Sequence, residues 1–217
     1  MSWQARCFSH FRLYAVTDLK NYPNTNFLDR VADAYQNGAD IVQLRSKTLS
    51  MLEKIKLGRA IRKIASQFKK LYFVNDSLDL ALLTAADGLH VGQDDMPPAD
   101  IRSICRKLKM KLIVGLSTHS VSQARAAQKL PVDYFGVGPV FKTPTKPNYG
   151  AVGLNLVKQV SRFAVKPWVA IGGIDESNLE QVLSSGAKRV AVVRAIFNAP
   201  DSGAACRRLT NQLKGYK

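Results

Sequence analysis

Short apolar runs alternate with longer amphipathic stretches along almost the whole chain. The runs are RLYAVTD (12–18), DIVQLRS (40–46), LYFVND (71–76), GLHVGQ (88–93), KLIVGLS (111–117), YFGVGPV (134–140), PWVAIGG (167–173) and RVAVVRA (189–195), eight in all. Their length and their aliphatic and aromatic content predict buried β-strands. Between them the apolar spacing changes to that of helices. Phe27, Val31 and Tyr35 precede Asn37-Gly38, a helix stop. Asp76-Ser77 opens a helical run through Leu80 and Leu83, and Pro97 and Pro98 suit a first helical turn. Ser120 is placed to cap VSQARAAQKL, Ser177 to cap NLEQVLSSG before Gly186, and a last helix is expected over about 201–214.

Eight strands, each followed by a helix, indicate a parallel α/β architecture. In 217 residues this fits one closed (β/α)₈ TIM barrel spanning 1–217, with its core at about 12–197. A doubly wound open sheet is the competing topology, but eight regular units seldom stay open at this size. The one long insertion, FKTPTKPNYGAVG (141–153), follows the sixth strand. Its Pro and Gly mark it as a loop, and its length makes it a candidate lid.

Polarity within the strands then changes the picture. In IVQLRSK (41–47) the residues Gln43, Arg45 and Lys47 alternate, so they share one face. Other polar residues also gather where strands end: Asn75-Asp76, then Gln93, Asp94 and Asp95, Ser117-Thr118-His119, then Thr143, Thr145 and Lys146, Gly172-Gly173, and Arg194. Active sites of such barrels lie at that face. Singly, each residue has an ordinary explanation. Asp76 suits a helix N-cap, Asp95 a turn before Pro97, His119 a turn-orienting role and Gly172-Gly173 a tight turn. Seven strand ends converging on one rim indicate a site.

Charge narrows the ligand. Lys and Arg total 32 against 16 Asp and Glu, a formal charge of +16, which favours anionic partners. Much of the excess lies in 54–70, where Leu57, Ile61, Ile64 and Phe68 form the buried stripe of one helix and the basic residues its outer face. Arg45, Lys47 and Lys146 supply three cations for phosphoryl oxygens. Asp76 and Asp95 beside them make sense if Mg²⁺ bridges them to a polyphosphate. No His or Cys cluster has zinc spacing. A second anion site is expected where Gly172-Gly173 and the 192–196 turn offer backbone N–H groups. The site therefore takes two phosphorylated small molecules, or one with phosphates at both ends.

Cys7, Cys105 and Cys206 have no metal-like spacing, and Cys105 and Cys206 accompany apolar helical faces, as core residues in a reducing compartment do. No apolar run of about 18 residues is present. The first ten residues lack the apolar core of a signal peptide, so a cytoplasmic protein is expected. No membrane or nucleic-acid partner is expected, and a homo-oligomer is permitted.

In order along the chain, VQLRSK, VNDSLDLALLTAADGLHVGQDDMP, GLSTHS, DYFGVGPVFKTPTK, VAIGGI and VAVVRAI resemble the thiamine phosphate synthase family over roughly 12–197. That resemblance implies joining of hydroxymethylpyrimidine diphosphate to hydroxyethylthiazole phosphate with release of pyrophosphate. It assigns Gln43, Arg45, Lys47, Asn75, Ser117 and Lys146 to the pyrimidine diphosphate, and Asp76 and Asp95 to Mg²⁺. Thr143, Thr145, Gly173 and the backbone at Val193 and Arg194 fall to the thiazole phosphate. Arg194 departs from the Ser common in that family. The implied chemistry is dissociative: Arg45, Lys47 and Lys146 act on the leaving diphosphate, and the thiazole nitrogen attacks without a general base. Two alternatives remain at this stage. A thiazole tautomerase of the same fold would need a proton shuttle, with His119 the residue to watch. A basic nucleic-acid-binding or regulatory protein would need aromatics interleaved with its charge, which 54–70 lacks.

Overall fold

The computed structural model describes residues 3–20, 26–143 and 150–216. Eight parallel strands close into a barrel in sequence order. They are β1 (Leu13–Val16), β2 (Ile41–Leu44), β3 (Leu71–Asn75), β4 (Gly88–Val91), β5 (Ile113–Thr118), β6 (Tyr134–Val137), β7 (Trp168–Ile171) and β8 (Val190–Val192). Closure comes from β1 pairing with β8, Leu13 opposite Val190 and Tyr14 opposite Ala191. The open-sheet alternative is thereby excluded.

Helix α1 (Trp3–His10) precedes β1. After β1 to β7 come, in turn, α2 (Phe27–Gln36), α3 (Met51–Gln67), α4 (Leu78–Leu83), α5 (Pro98–Lys107), α6 (Val121–Lys129), α7 (Gly153–Phe163) and α8 (Leu179–Ser184). Two helices follow β8, the short α9 (Arg194–Phe197) and the longer α10 (Ser202–Gly215).

The ladders are shorter than the apolar runs suggest. The run 40–46 contains only β2, and 12–18 only β1. Beyond β1 and β2 the pairing thins to single backbone bonds, Thr17 N to Gln43 O at 3.0 Å and Leu19 N to Arg45 O at 3.3 Å, and an isolated bridge of Leu19 with Ser46. Arg45, Lys47, Asp76 and Asp95 are therefore loop residues standing just above the barrel, whereas Gln43, Asn75 and Ser117 still belong to strands.

Strand alternation produces two cores. Tyr14, Ile41, Leu71, Phe73, Tyr134, Val169 and Ala191 point inward and pack together with Phe11. Val42, Leu44, Tyr72, Val74, Leu89 and Val114 face the helices, meeting Val31, Leu57, Ile61 and Ile101 among others. Removing each such side chain from water is worth about 1.5–3 kcal/mol. Small residues fit the inner rings together: a Cβ on Gly115 would stand 2.2 Å from the Tyr134 ring, and one on Gly88 2.6 Å from Phe73.

Helix α1 was not anticipated. Its Trp3, Cys7 and Phe8 pack against the inner core, and Phe8 stacks on Phe11 with ring centroids 5.3 Å apart. It covers the end of the barrel opposite the polar rim. There the chain also carries three repeated staples. Asp40 accepts from the backbone of Arg12 and Leu13 and pairs with Lys70 at 2.7 Å. Asp87 accepts from Tyr72 N and pairs with Arg62, and Asp133 accepts from Val114 N and pairs with Arg102. Each aspartate precedes an even-numbered strand and ties down the odd-numbered strand before it. Arg62 and Lys70, expected on a solvated basic face, are thus structural.

Two caps differ from expectation. The α4 cap is Ser77, whose side chain accepts from Leu80 N, so Asp76 is released from that role. Ser177 does not cap α8: its Oγ is turned to Asp175 Oδ1 at 2.6 Å, and the N-cap position falls to Asn178, whose side chain accepts from Asp175 N instead of from the helix. Among the described residues, no helix is long and apolar enough to cross a membrane.

Candidate active site

The barrel mouth holds a cleft lined by residues from the ends of several strands. Gln43 from β2, Asn75 from β3, His90 from β4 and Ser117 from β5 form its floor. Arg45, His119, Thr143, Ile171, Gly172 and Val193 are among the wall residues. The inward parity of each strand delivers these side chains, since Gln43, Asn75, His90 and Ser117 occupy the last inward positions before the loops.

Arg45 is 8% exposed, and its guanidinium is bonded to the carboxylate of Asp18, just beyond β1. Its backbone is fixed by Thr17, which accepts from Arg45 N at 2.8 Å and donates to Arg45 O at 2.9 Å. A buried cation in a polar mouth is thus kept paired with a carboxylate. Lys47 is different: its side chain is 64% exposed and does not line the cleft. Its Nζ crosses instead to Asp76 Oδ2, 2.8 Å away.

Asp76 takes a left-handed backbone conformation, φ 62°, which Asp tolerates better than most residues. Its N–H donates to His90 O at 2.8 Å, anchoring the turn. Asp95 accepts from Gly92 N at 2.7 Å. Burial pushes the Asp95 carboxyl above the ordinary carboxylate range, the Gly92 bond opposes this, and the neighbouring Asp76 carboxylate adds to it. The two carboxylates are therefore close enough to repel, with the Lys47 amine beside them.

Gly173 and Arg194 stand back from the cavity. Gly173 has φ 66°, and a Cβ there would meet Phe141 at 2.7 Å, so it admits the loop after β6 (the cleft wall itself is Gly172). Arg194 is exposed at the start of α9, with Val193 as N-cap. Thr145 and Lys146 lie outside the described residues.

Four positions at or beneath the cleft were not singled out in the sequence. Asp18 ends the first apolar run and stands at the same rim as the other polar ends, but it was not counted among them. His90 was legible by parity, since Gly88 and His90 share the inward face of GLHVGQ. Its Nδ1 lies 2.9 Å from Tyr134 OH and its Nε2 3.0 Å from Ser117 Oγ. Tyr14 and Tyr134 were not singled out within their apolar runs, yet Tyr14 OH accepts from Gln43 Nε2 at 2.6 Å. Burial raises both phenols above their ordinary range, so both stay protonated near neutrality. His119 bonds through Nδ1 to Gly138 O, the turn-orienting role considered for it, and it also lines the cleft.

The site thus combines polar side chains on its floor, the cations of Arg45 and Lys47, and the neighbouring carboxylates of Asp76 and Asp95. A family model described as thiamine monophosphate synthase matches residues 13–196. A thiamine-phosphate synthase of Thermus thermophilus is 43% identical over 206 residues, covering 94% of this chain and 98% of the relative. One from Arthrobacter sp. is 42% identical over 222 residues, covering 91% and 92%. Among solved structures, a thiamine phosphate pyrophosphorylase from Pyrococcus furiosus superposes with a TM-score of 0.85 at 32% identity, covering 95% of this chain and 96% of that one.

Proposed function

Because the chain belongs to the thiamine monophosphate synthase family and is a transferase of that kind, we propose that it joins hydroxymethylpyrimidine diphosphate to hydroxyethylthiazole phosphate, giving thiamine phosphate and pyrophosphate. The observation that carries this reading is the convergence of Arg45 and Lys47 with Asp76 and Asp95 beside a floor made by Gln43, Asn75 and Ser117. In this reading Gln43 and Asn75 hold the pyrimidine, and Arg45, Lys47, Ser117 and Lys146 hold its diphosphate. Thr143, Thr145, Gly173 and the backbone of Val193 and Arg194 take the thiazole phosphate.

The two carboxylates suit magnesium, which commonly takes one or two carboxylates and completes its shell with phosphate oxygens and water. The Asp95 carboxyl is raised chiefly by burial and further by the neighbouring Asp76, and a cation between the two would oppose both effects. When bound, magnesium would offset negative charge on the diphosphate as it departs. The chain's own residues do the rest. Arg45 and Lys47 exchange their carboxylate partners for phosphoryl oxygens and so stabilise the developing charge. The methylene C–O bond breaks, and its electron pair leaves with the diphosphate. The aminopyrimidine ring carries the resulting positive charge. The thiazole nitrogen then forms the C–N bond with its own lone pair, so no general base is required. The floor aligns the two rings and the walls keep water from the cation.

A thiazole tautomerase would need a proton shuttle at His119, and the bond from that ring to the Gly138 carbonyl favours an orienting role. The deciding experiment mixes both substrates with purified protein, with and without Mg²⁺. Thiamine phosphate and pyrophosphate should appear together, and the absence of both sinks the proposal.

A further inference from the structure

Five side chains from five strands form one unbroken hydrogen-bonded chain across the barrel. Gln43 on β2 meets Tyr14 on β1 at 2.6 Å, and Tyr14 meets Tyr134 on β6 at 3.2 Å. Tyr134 meets His90 Nδ1 on β4 at 2.9 Å, and His90 Nε2 meets Ser117 Oγ on β5 at 3.0 Å. Gln43, His90 and Ser117 line the cleft. The two tyrosines are buried beneath it, exposed by 2% and 0%. Both ends of the chain therefore open on the site while its middle runs under the floor.

Each of these four contacts needs one proton and has room for only one. A phenol and a serine each bring one, and a neutral imidazole brings one. When Gln43 donates to Tyr14, Tyr14 must donate to Tyr134, and Tyr134 to Nδ1 of His90. The imidazole proton is then on Nε2, directed at Ser117, and the Ser117 proton turns into the cleft. When Gln43 offers its carbonyl instead, every bond reverses and Ser117 faces the cleft with a lone pair. A mixed pattern leaves one contact with two protons or none, and the penalty is greatest at the buried Gln43–Tyr14 and Tyr14–Tyr134 contacts and smaller at the part-buried contacts of His90.

We infer that Gln43, Tyr14, Tyr134, His90 and Ser117 reverse as a unit, so that the chain is a specificity device fixing the donor or acceptor character of Gln43 and Ser117 relative to each other. With Gln43 Nε2 on Tyr14, the Gln43 carbonyl and the Ser117 proton are left for ligand. That pattern fits an exocyclic amino group at Gln43 and an anionic oxygen at Ser117. An oxo-substituted ring would require an N–H from Gln43. Supplying it reverses the chain and turns the Ser117 lone pair onto the anionic oxygen. One atomic exchange on the ring thus disturbs two hydrogen bonds. Tyr14 and Tyr134 are positioning residues in this scheme, since neither lines the cleft. The ligand assignment rests on the synthase reading, whereas the coupling rests on geometry alone.

Two measurements test it. Histidine-selective ¹⁵N labelling places a probe on only three residues, and long-range ¹H–¹⁵N spectra report which ring nitrogen of His90 carries the proton. The proton is expected on Nε2 in the unaltered protein. Gln43→Glu, whose carboxylate only accepts, should move it to Nδ1, and adding Tyr14→Phe should return it to Nε2. A proton that stays on Nε2 in Gln43→Glu, or that moves equally in the double variant, overturns the coupling. The second measurement compares kcat/KM for the aminopyrimidine diphosphate and its oxo analogue. Tyr14→Phe should lower the preference for the amino ring at least tenfold, mainly through faster use of the oxo ring. A preference kept within twofold overturns the specificity role. Failure of the unaltered protein to use the amino substrate would instead defeat the synthase reading, with the His90 spectra still deciding the chain.

Discussion

Lys47 Nζ lies 2.8 Å from Asp76 Oδ2, joining the loop after β2 to the loop after β3 across the rim of the cleft. Lys47 is 64% exposed, so water screens the pair and its contribution to stability is about 0–1 kcal/mol. In the proposed reaction the same amine meets the departing diphosphate, where charge is concentrated. Lys47→Ala should therefore separate the two roles. Turnover is expected to fall about ten- to a thousandfold, the range for removal of one electrostatic stabiliser. Thermal unfolding should show a change of less than about 1 kcal/mol. A variant with unaltered kcat would take Lys47 out of the leaving-group site.

Arg45 should behave otherwise. It is 8% exposed and held by Asp18. Arg45→Ala removes a cation from the site and leaves Asp18 unpaired at the mouth. Activity should drop by orders of magnitude, and stability by about 1–3 kcal/mol, the usual loss for a polar group left without its partner. Denaturant titration beside the activity assay reads both. Unchanged stability would show that Asp18 is fully served by solvent.

Asp76 allows a test that spares the backbone. Its φ of 62° is tolerated by Asn nearly as well as by Asp. Asp76→Asn should keep the fold and raise the Mg²⁺ concentration needed for half-maximal activity at least tenfold. Asp95→Asn should act in the same direction. A Mg²⁺ titration curve that coincides with that of the unaltered protein in both variants would remove the pair as metal ligands.

The inner core makes a sharper prediction about stability. A methyl group on Gly115 would collide with the Tyr134 ring at 2.2 Å, and both groups belong to strands that cannot move apart in a closed barrel. Gly115→Ala should destabilise by about 1–3 kcal/mol through overpacking. Gly150→Ala is the matched control, since among the described residues nothing lies within 4 Å of its added carbon. Equal melting temperatures for the two variants would mean that the ring is free to shift.

The staple at Asp40 can be tested in the same way. Its carboxylate accepts from two backbone N–H groups, of Arg12 and Leu13, and pairs with Lys70. Asp40→Ala should cost about 1–3 kcal/mol, because part-buried donors lose their acceptor. Lys70→Ala removes only the outer ion pair and should cost less than about 1 kcal/mol. Equal losses would assign the effect to the charge pair rather than to the backbone bonds.

Much of the molecule is legible in the chain itself. The period of two in IVQLRSK fixes Gln43 and Arg45 on one face, and eight such runs separated by helical spacing leave a closed barrel as the economical solution. Polar residues at the ends of the runs locate the mouth, because only that end can offer water or an anion to Arg45. The tertiary structure decided how far each strand runs and whom each inward residue meets. Asp18 reaches Arg45 across 27 positions, and Tyr14 reaches Tyr134 across 120. Strand parity says which way a side chain points and is silent about its partner on the opposite wall. That partner is set by barrel closure and register, which bring β1 and β6 to face each other over the same core. Helix α1 was hidden for a related reason: its apolar face is short, and the surface that makes it stable exists only once the barrel has formed.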